Sequence, residues 1–205
     1  MRYLTAAAVL GLIAAPVEAA SGNIPMVAIG LPFAPETPRP VATTHPLYHR
    51  IQIGEIDGLP STVGSSTFNF IAAAKRSSIN AALRESFQRM NLLATDAAVP
   101  AHVRLTVRWG GSRTPFRIAT RNVATVTLHY RLARIDNGQM LFDRDITTSA
   151  EGGGVNASMR DNGIVRAAIA ANFASAANCL DRAAFGTAPA NCALTPKFSV
   201  SVVRR

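Results

Sequence analysis

The sequence predicts an α+β domain: an antiparallel or mixed sheet of about four strands, in β-α-β-β-β-α order, with two helices on one face. Three observations carry this reading. Two stretches, around Leu83 and around Ile169, repeat apolar residues at helical spacing. Three others alternate apolar and polar residues, giving one apolar and one polar face, the mark of a sheet covered on one side only. An Asn-Gly turn joins two of those three, and Asn-Gly is a strong hairpin signal.

Before the domain, Arg2 leads into an Ala-rich apolar run from Leu4 to Ala15, followed by Pro16-Val17-Glu18-Ala19-Ala20. The run is too short to span a bilayer, and its exit carries small residues at Val17 and Ala19. Residues 1–19 therefore read as a secretory signal peptide cleaved between Ala19 and Ala20. Residues 20–46 hold Pro25, Pro32, Pro35, Pro38, Pro40 and Pro46. Each proline fixes φ and removes a donor, which predicts an extended tether. A single domain is expected over 47–182, and a tail over 183–205.

Within the domain, Leu47–Ile56 reads as a strand carrying Ile51 and Ile53. Gly58 to Ser66 is dense in turn residues and reads as a loop. Between Thr67 and Leu93, Ile71, Ile79, Leu83, Phe87 and Met90 form one helical stripe, with Ser77 or Ser78 as alternative caps of a shorter helix. Ala101–Trp109 places Val103, Leu105, Val107 and Trp109 on one face. Asn122–Arg134 turns Val126, Leu128, Tyr130 and Leu132 inward. After Asp136-Asn137-Gly138, Gln139–Ser149 returns with Met140, Phe142 and Ile146 inward and Asp143 and Asp145 outward. Ser158-x-x-Asp161 resembles a capping box before Val165, Ile169, Phe173, Ala176 and Leu180, the second helical stripe. Phe198-Ser-Val200-Ser-Val202 forms a candidate last strand.

The chain has 205 residues and a formal charge of +9, nearly all of the positive charge being arginine. Removal of Arg2 and Glu18 with the leader leaves that charge unchanged. The balance favours acidic partners, and the guanidinium fork suits phosphate and carboxylate. In an exported protein these are anionic lipid, lipopolysaccharide or acidic glycan rather than nucleic acid. No later apolar run approaches the roughly 20 residues of a membrane helix, so no transmembrane span is expected in the mature chain. Cys179 and Cys192 are the only cysteines, and in an oxidising compartment they are expected to pair.

The remaining motifs point to no enzyme chemistry. Gly152-Gly153-Gly154 lacks a GK[ST] ending and reads as a flexible connection. His45, His49, His102 and His129 show no metal-ligand spacing. Asp143 and Asp145, two apart on one strand face, are expected to pair with Arg131 and Arg104 across the sheet. No GxSxG elbow occurs, and no cofactor motif is present. The outward residues Arg104, Arg108, Arg131, Thr106, Thr125, Thr127 and His129 form the one constellation suited to a ligand, a basic hydrogen-bonding face.

At the first helix, Ala82-Leu83-Arg84-Glu85-Ser86-Phe87-Gln88-Arg89-Met90-Asn91-Leu92-Leu93 resembles the "ALxxSLxxxGLL" helix of small proteobacterial envelope lipoproteins. Their "V.Y.L" strand is similar to Val126–Leu132, and their Arg…Ala…Asn helix pattern to Arg166, Ala168 and Asn172. More distantly the layout resembles outer-membrane assembly and transporter-auxiliary lipoproteins. The resemblance implies a non-enzymatic envelope protein that helps move lipid or lipopolysaccharide. Those lipoproteins carry a lipid-bearing cysteine at the leader's exit, and no cysteine stands near Ala20 here, so a periplasmic or secreted, unlipidated protein is expected. The leading functional expectation is a binding or accessory protein using the basic sheet face through Arg104, Arg108, Arg131 and His129. The alternatives are a hydrolase or transferase of envelope polymers, joining Asp143 or Asp145 to His102 or His129, and a structural subunit docking by its sheet edge or tail.

Overall fold

The computed structural model describes residues 39–64, 72–95, 100–115, 121–153 and 157–186, except the side chains of residues 72, 73, 158 and 159. Ala19, Ala20, Ile71, Ser158's side chain, Cys192 and the Phe198–Val202 segment lie outside the described set. The elements in chain order are β1 (Ile51–Asp57), β2 (Thr62–Gly64), β3 (Ala72–Lys75), α1 (Arg76–Arg89), β4 (Val103–Arg113), β5 (Arg121–Arg134), β6 (Met140–Gly153) and α2 (Ala157–Ala184).

A four-stranded mixed sheet runs in the order β1-β4-β5-β6. The strands β4, β5 and β6 form an antiparallel meander, while β1 lies parallel to β4. Parallel neighbours need a crossover, and β2, β3 and α1 supply it. Both helices pack on the same side, so the fold is α+β with one sheet face left open. The turn into β6 has Gly138 at φ 69, and Arg134 N–H donates to the Gln139 carbonyl at 2.9 Å.

The two helical stripes form the core as expected. Ile79, Leu83, Phe87 and Met90 are buried, as are Val165, Ile169, Phe173, Ala176 and Leu180. The stretch Arg160–Ala184 is 25 residues long and apolar enough by composition to cross a membrane, contrary to the expectation that no such run follows the leader. Most of it is buried within this fold, where it serves as the core helix.

The segment read as a loop-to-helix entry differs. β2 and β3 pair as a small antiparallel sheet, and α1 begins only at Arg76, with Lys75 at the cap and no side-chain capping bond. Ala72-Ala73-Ala74 favours helix by propensity. Packing overrides it: Val63 and Ala74 are both buried in the core. In β1, a bulge between Ile53 and Ile56 lets two residues three apart both face inward. In β6, a slip beside Leu132 pairs Met140 with Ala133, on the open face, instead of inward. The extra residue, Leu141, is left 41% exposed.

The end of α1 explains the helix motif. Leu92 N–H donates to the Phe87 carbonyl at 3.0 Å and Asn91 N–H to Gln88 at 2.9 Å, a Schellman turn. Asn91 adopts φ 58 and stands where the lipoprotein pattern has glycine. Asparagine is the side chain that next best tolerates this conformation. Its amide also donates to the Val41 carbonyl at 3.3 Å, and Val41 N–H to the Met90 carbonyl at 3.1 Å. Among the described residues, packing thus extends back to Val41, ahead of Leu47. At the other end α2 runs to Ala184, where the Asp181 carboxylate lies 3.0 Å from His45 Nε2.

A buried polar network fastens α2 to the sheet. Asn172 donates from Nδ2 to the carbonyls of Ile146 at 2.8 Å and Val126 at 3.3 Å, and accepts from the Tyr130 hydroxyl at 2.7 Å. Thr148 donates to the Ala168 carbonyl at 2.8 Å. Ala168 and Asn172 of the Arg…Ala…Asn pattern are therefore anchoring positions. Arg166 is half-buried, and desolvation lowers its pKa.

Burial pushes the Tyr130 phenol well above its ordinary pKa. The unfolded chain therefore loses this proton first as pH rises through about 10. Stability from this group is complete below that pH and declines above it. Tyr130→Phe should flatten the alkaline decline of the unfolding free energy, read from urea titrations at successive pH values. An unchanged slope would assign the decline to other groups.

Candidate functional site: the open sheet face

Strand β4 alternates buried and exposed residues from Val103 to Arg108, which sets Arg104, Thr106 and Arg108 on the open face. The alternation is then interrupted. Register slips between Trp109 and Gly111, and a Cβ on Gly110 would sit a tight 3.0 Å from the Thr127 carbonyl oxygen, so the bulge favours glycine. The inserted residue returns Arg113 to the open face, opposite Thr125.

Arg104, Arg108 and Arg113 consequently stand opposite Ala133, His129 and Thr125, every fourth residue of β5. At the rise of an extended strand that spacing is roughly 13 Å. All three are exposed, and among the described residues none has a carboxylate within ion-pair distance. Asp57 lies opposite Arg108 in register on β1 without closing to that distance.

The β5–β6 half of the face is internally satisfied. His129 Nε2 lies 2.9 Å from Asp143 Oδ1, and its Nδ1 lies 2.9 Å from Asp145 Oδ1. Arg131 Nε is 3.9 Å from Asp143 Oδ2. Thr127 and Thr147 share a hydrogen bond at 2.9 Å, and Thr125 and Ser149 one at 3.2 Å. The face thus divides into a cationic column on β4 and a neutralised, hydroxyl-rich half.

Two expectations change. Arg104 does not pair with Asp143 or Asp145, because β5 separates its strand from β6; His129 takes that place beside Arg131. Arg113 joins the basic column although its spacing from Arg108 breaks strict alternation. The signal was present in Gly110-Gly111, since paired glycines within a strand mark a bulge. Both ring nitrogens of His129 face carboxylates, on opposite edges of the ring. Each nitrogen therefore already has a carboxylate partner. Among the described residues no group of three such side chains is arranged to hold a metal ion.

The other sequence-predicted residues lie apart from this face. His102 precedes β4 and has Nε2 3.3 Å from Arg50 Nη1. His45 is tied to the last turns of α2 and meets the Phe185 ring edge-on at 5.0 Å. His49 sits in the turn before β1 at φ 51. Cys179 is wholly buried near the end of α2; Cys192 lies outside the described residues.

No protein-family model and no curated protein matches the chain. Among solved structures, it is similar to a DUF330-family protein from Xanthomonas campestris, with a TM-score of 0.49 and 10% identity over 72% of this chain and 90% of that one. It is also similar to a candidate lipoprotein from Caulobacter crescentus, with a TM-score of 0.42 and 14% identity over 70% of this chain and 96% of that one. Neither similarity carries an inference about what this chain does.

Proposed function

We propose that the protein is an exported, non-enzymatic accessory of the cell envelope that binds an extended anionic surface through the arginine column of β4. The leader before Ala20 supports export, and the absence of a cysteine near that exit supports an unlipidated, periplasmic or secreted form. The observation that carries the reading is the even spacing of Arg104, Arg108 and Arg113. Side chains about 13 Å apart do not converge on one phosphate. They match instead a repeating anion: a layer of lipid or lipopolysaccharide head groups, or an acidic glycan. Arg131 adds guanidinium donors to the same face, and His129 holds Asp143 and Asp145 beside it. Cys179 and Cys192 pair as a structural disulfide in this reading, which suits an oxidising compartment.

The test is sedimentation with vesicles of phosphatidylglycerol and phosphatidylcholine across a salt series. A basic side chain near an anionic surface contributes about 1 kcal/mol, so changing Arg104, Arg108 and Arg113 together to Ser should weaken binding about 100-fold. The wild-type interaction should also weaken steeply with salt. Binding that is absent in the wild type, or unchanged in the triple variant, would refute the proposal.

A further inference from the structure

A second candidate site lies on the helix side of the sheet and does not rest on the basic-face reading. Where the end of α2 meets the strand ends, a cavity of about 260 Å³ opens. Leu47, Val103, Leu132, Leu141 and Ala184 wall it, and His102 and Arg134 are polar members of its lining. Among the described residues three large apolar side chains are exposed, and one of them belongs to this lining. Leu141, 41% exposed, lines it; Ile135, 43% exposed, follows Arg134; Phe185, 60% exposed, follows Ala184.

The charges beside the opening are cationic. Arg134 donates from Nε and Nη2 to the Asp136 carboxylate at 3.2 and 3.3 Å, which compensates it. Arg50 has no such partner. Its Nη1 reaches the Pro100 carbonyl at 3.4 Å and His102 Nε2 at 3.3 Å, and among the described residues no carboxylate lies within ion-pair distance. An apolar hole next to an uncompensated guanidinium is complementary to an anion with an alkyl tail.

We propose that this cavity takes the alkyl chain of an anionic single-chain amphiphile, with the head group held at Arg50 and His102. The volume exceeds the roughly 150 Å³ of an apolar cavity that admits benzene. It falls short of the roughly 300 Å³ at which pockets begin to enclose drug-sized molecules. A short chain segment fits; a whole diacyl lipid does not.

The probe is decanoate, titrated below its micelle concentration into the purified protein by calorimetry, with decanol as its uncharged counterpart. Decanoate should saturate one site per chain. Leu141→Gln and Ala184→Trp should each weaken both ligands at least about tenfold, whereas Arg50→Gln should weaken decanoate about tenfold and leave decanol within about twofold. Leu141 is partly exposed, so its glutamine variant keeps the fold, as circular dichroism would verify. The Arg104, Arg108 and Arg113 triple variant should retain decanoate binding, which separates this site from the basic face. Three results would overturn the proposal: no saturable binding, equal affinity in both apolar variants, or equal losses of decanoate and decanol in Arg50→Gln. A concentration-dependent dimer that Leu141→Gln dissolves would also overturn it, by making a second copy of the chain the occupant.

Discussion

Replacing Asn172 by leucine should lower the unfolding free energy by about 3 kcal/mol, a large share of the roughly 5–15 kcal/mol that holds a domain of this kind together. The size of the effect follows from how many bonds one side chain carries. Nδ2 donates to the carbonyls of Val126 and Ile146 on neighbouring strands and approaches the Thr148 hydroxyl at 3.2 Å. Oδ1 accepts from Tyr130. Leucine of similar size would fill the space but leave the Tyr130 hydroxyl without its acceptor in a wholly buried position. Thr148 would keep its bond to Ala168, so the loss centres on Tyr130 and the strand carbonyls. Urea denaturation of both proteins measures the difference, and a loss below about 1 kcal/mol would mean that the network repartners.

Reduction should cost a comparable amount if Cys179 and Cys192 are bridged as proposed. A cross-link closing a short loop stabilises by about 3 kcal/mol in the chain-entropy model. Cys179 is fully buried beside Leu180 in the α2 stripe, so a reductant would reach it only after local opening. Two measurements decide the matter. A thiol assay on denatured, unreduced protein should find no free cysteine, and Cys192→Ala should lower the urea midpoint to that of the reduced wild type. Two titratable thiols would refute the pairing.

Much of the fold is legible because its signals are local and agree with one another. Ile79, Leu83 and Phe87 could face one way only on a helix, and Val103, Leu105 and Val107 only on a strand. The Asn137-Gly138 turn fixes which strands neighbour each other. What escapes is set by tertiary context. The Ala72–Lys75 strand runs against propensity because pairing with β2 buries Ala74 beside Val63 in the core. The parallel pairing of β1 with β4 leaves no trace in β4, which alternates as an antiparallel strand does, and β1 departs from alternation only at its bulge. The candidate site is legible by the same measure: the outward parity of Arg104, Arg108, Arg131 and His129 follows from alternation alone. Their partners do not. Whether Asp143 meets Arg104 or His129 depends on strand order, and the return of Arg113 to the open face depends on a bulge that only register reveals.

The mixed pairing of β1 also bears on the order in which the chain can assemble. The β4–β5 and β5–β6 contacts link neighbours in sequence, so their loop closure costs little. The contact between Ile51 and Val103 must instead wait for the whole of β2, β3 and α1 to be spanned. The meander with α2 laid over it is therefore expected to form first, and β1 to close the sheet last. If the chain is exported leader-first as proposed, the segment that arrives earliest would be the last to find its place. Until it does, the β4 edge stays open for pairing, and aggregation in that interval would enter through β4 rather than through β6, whose Asp143, Arg144 and Asp145 place alternating charges along the opposite edge.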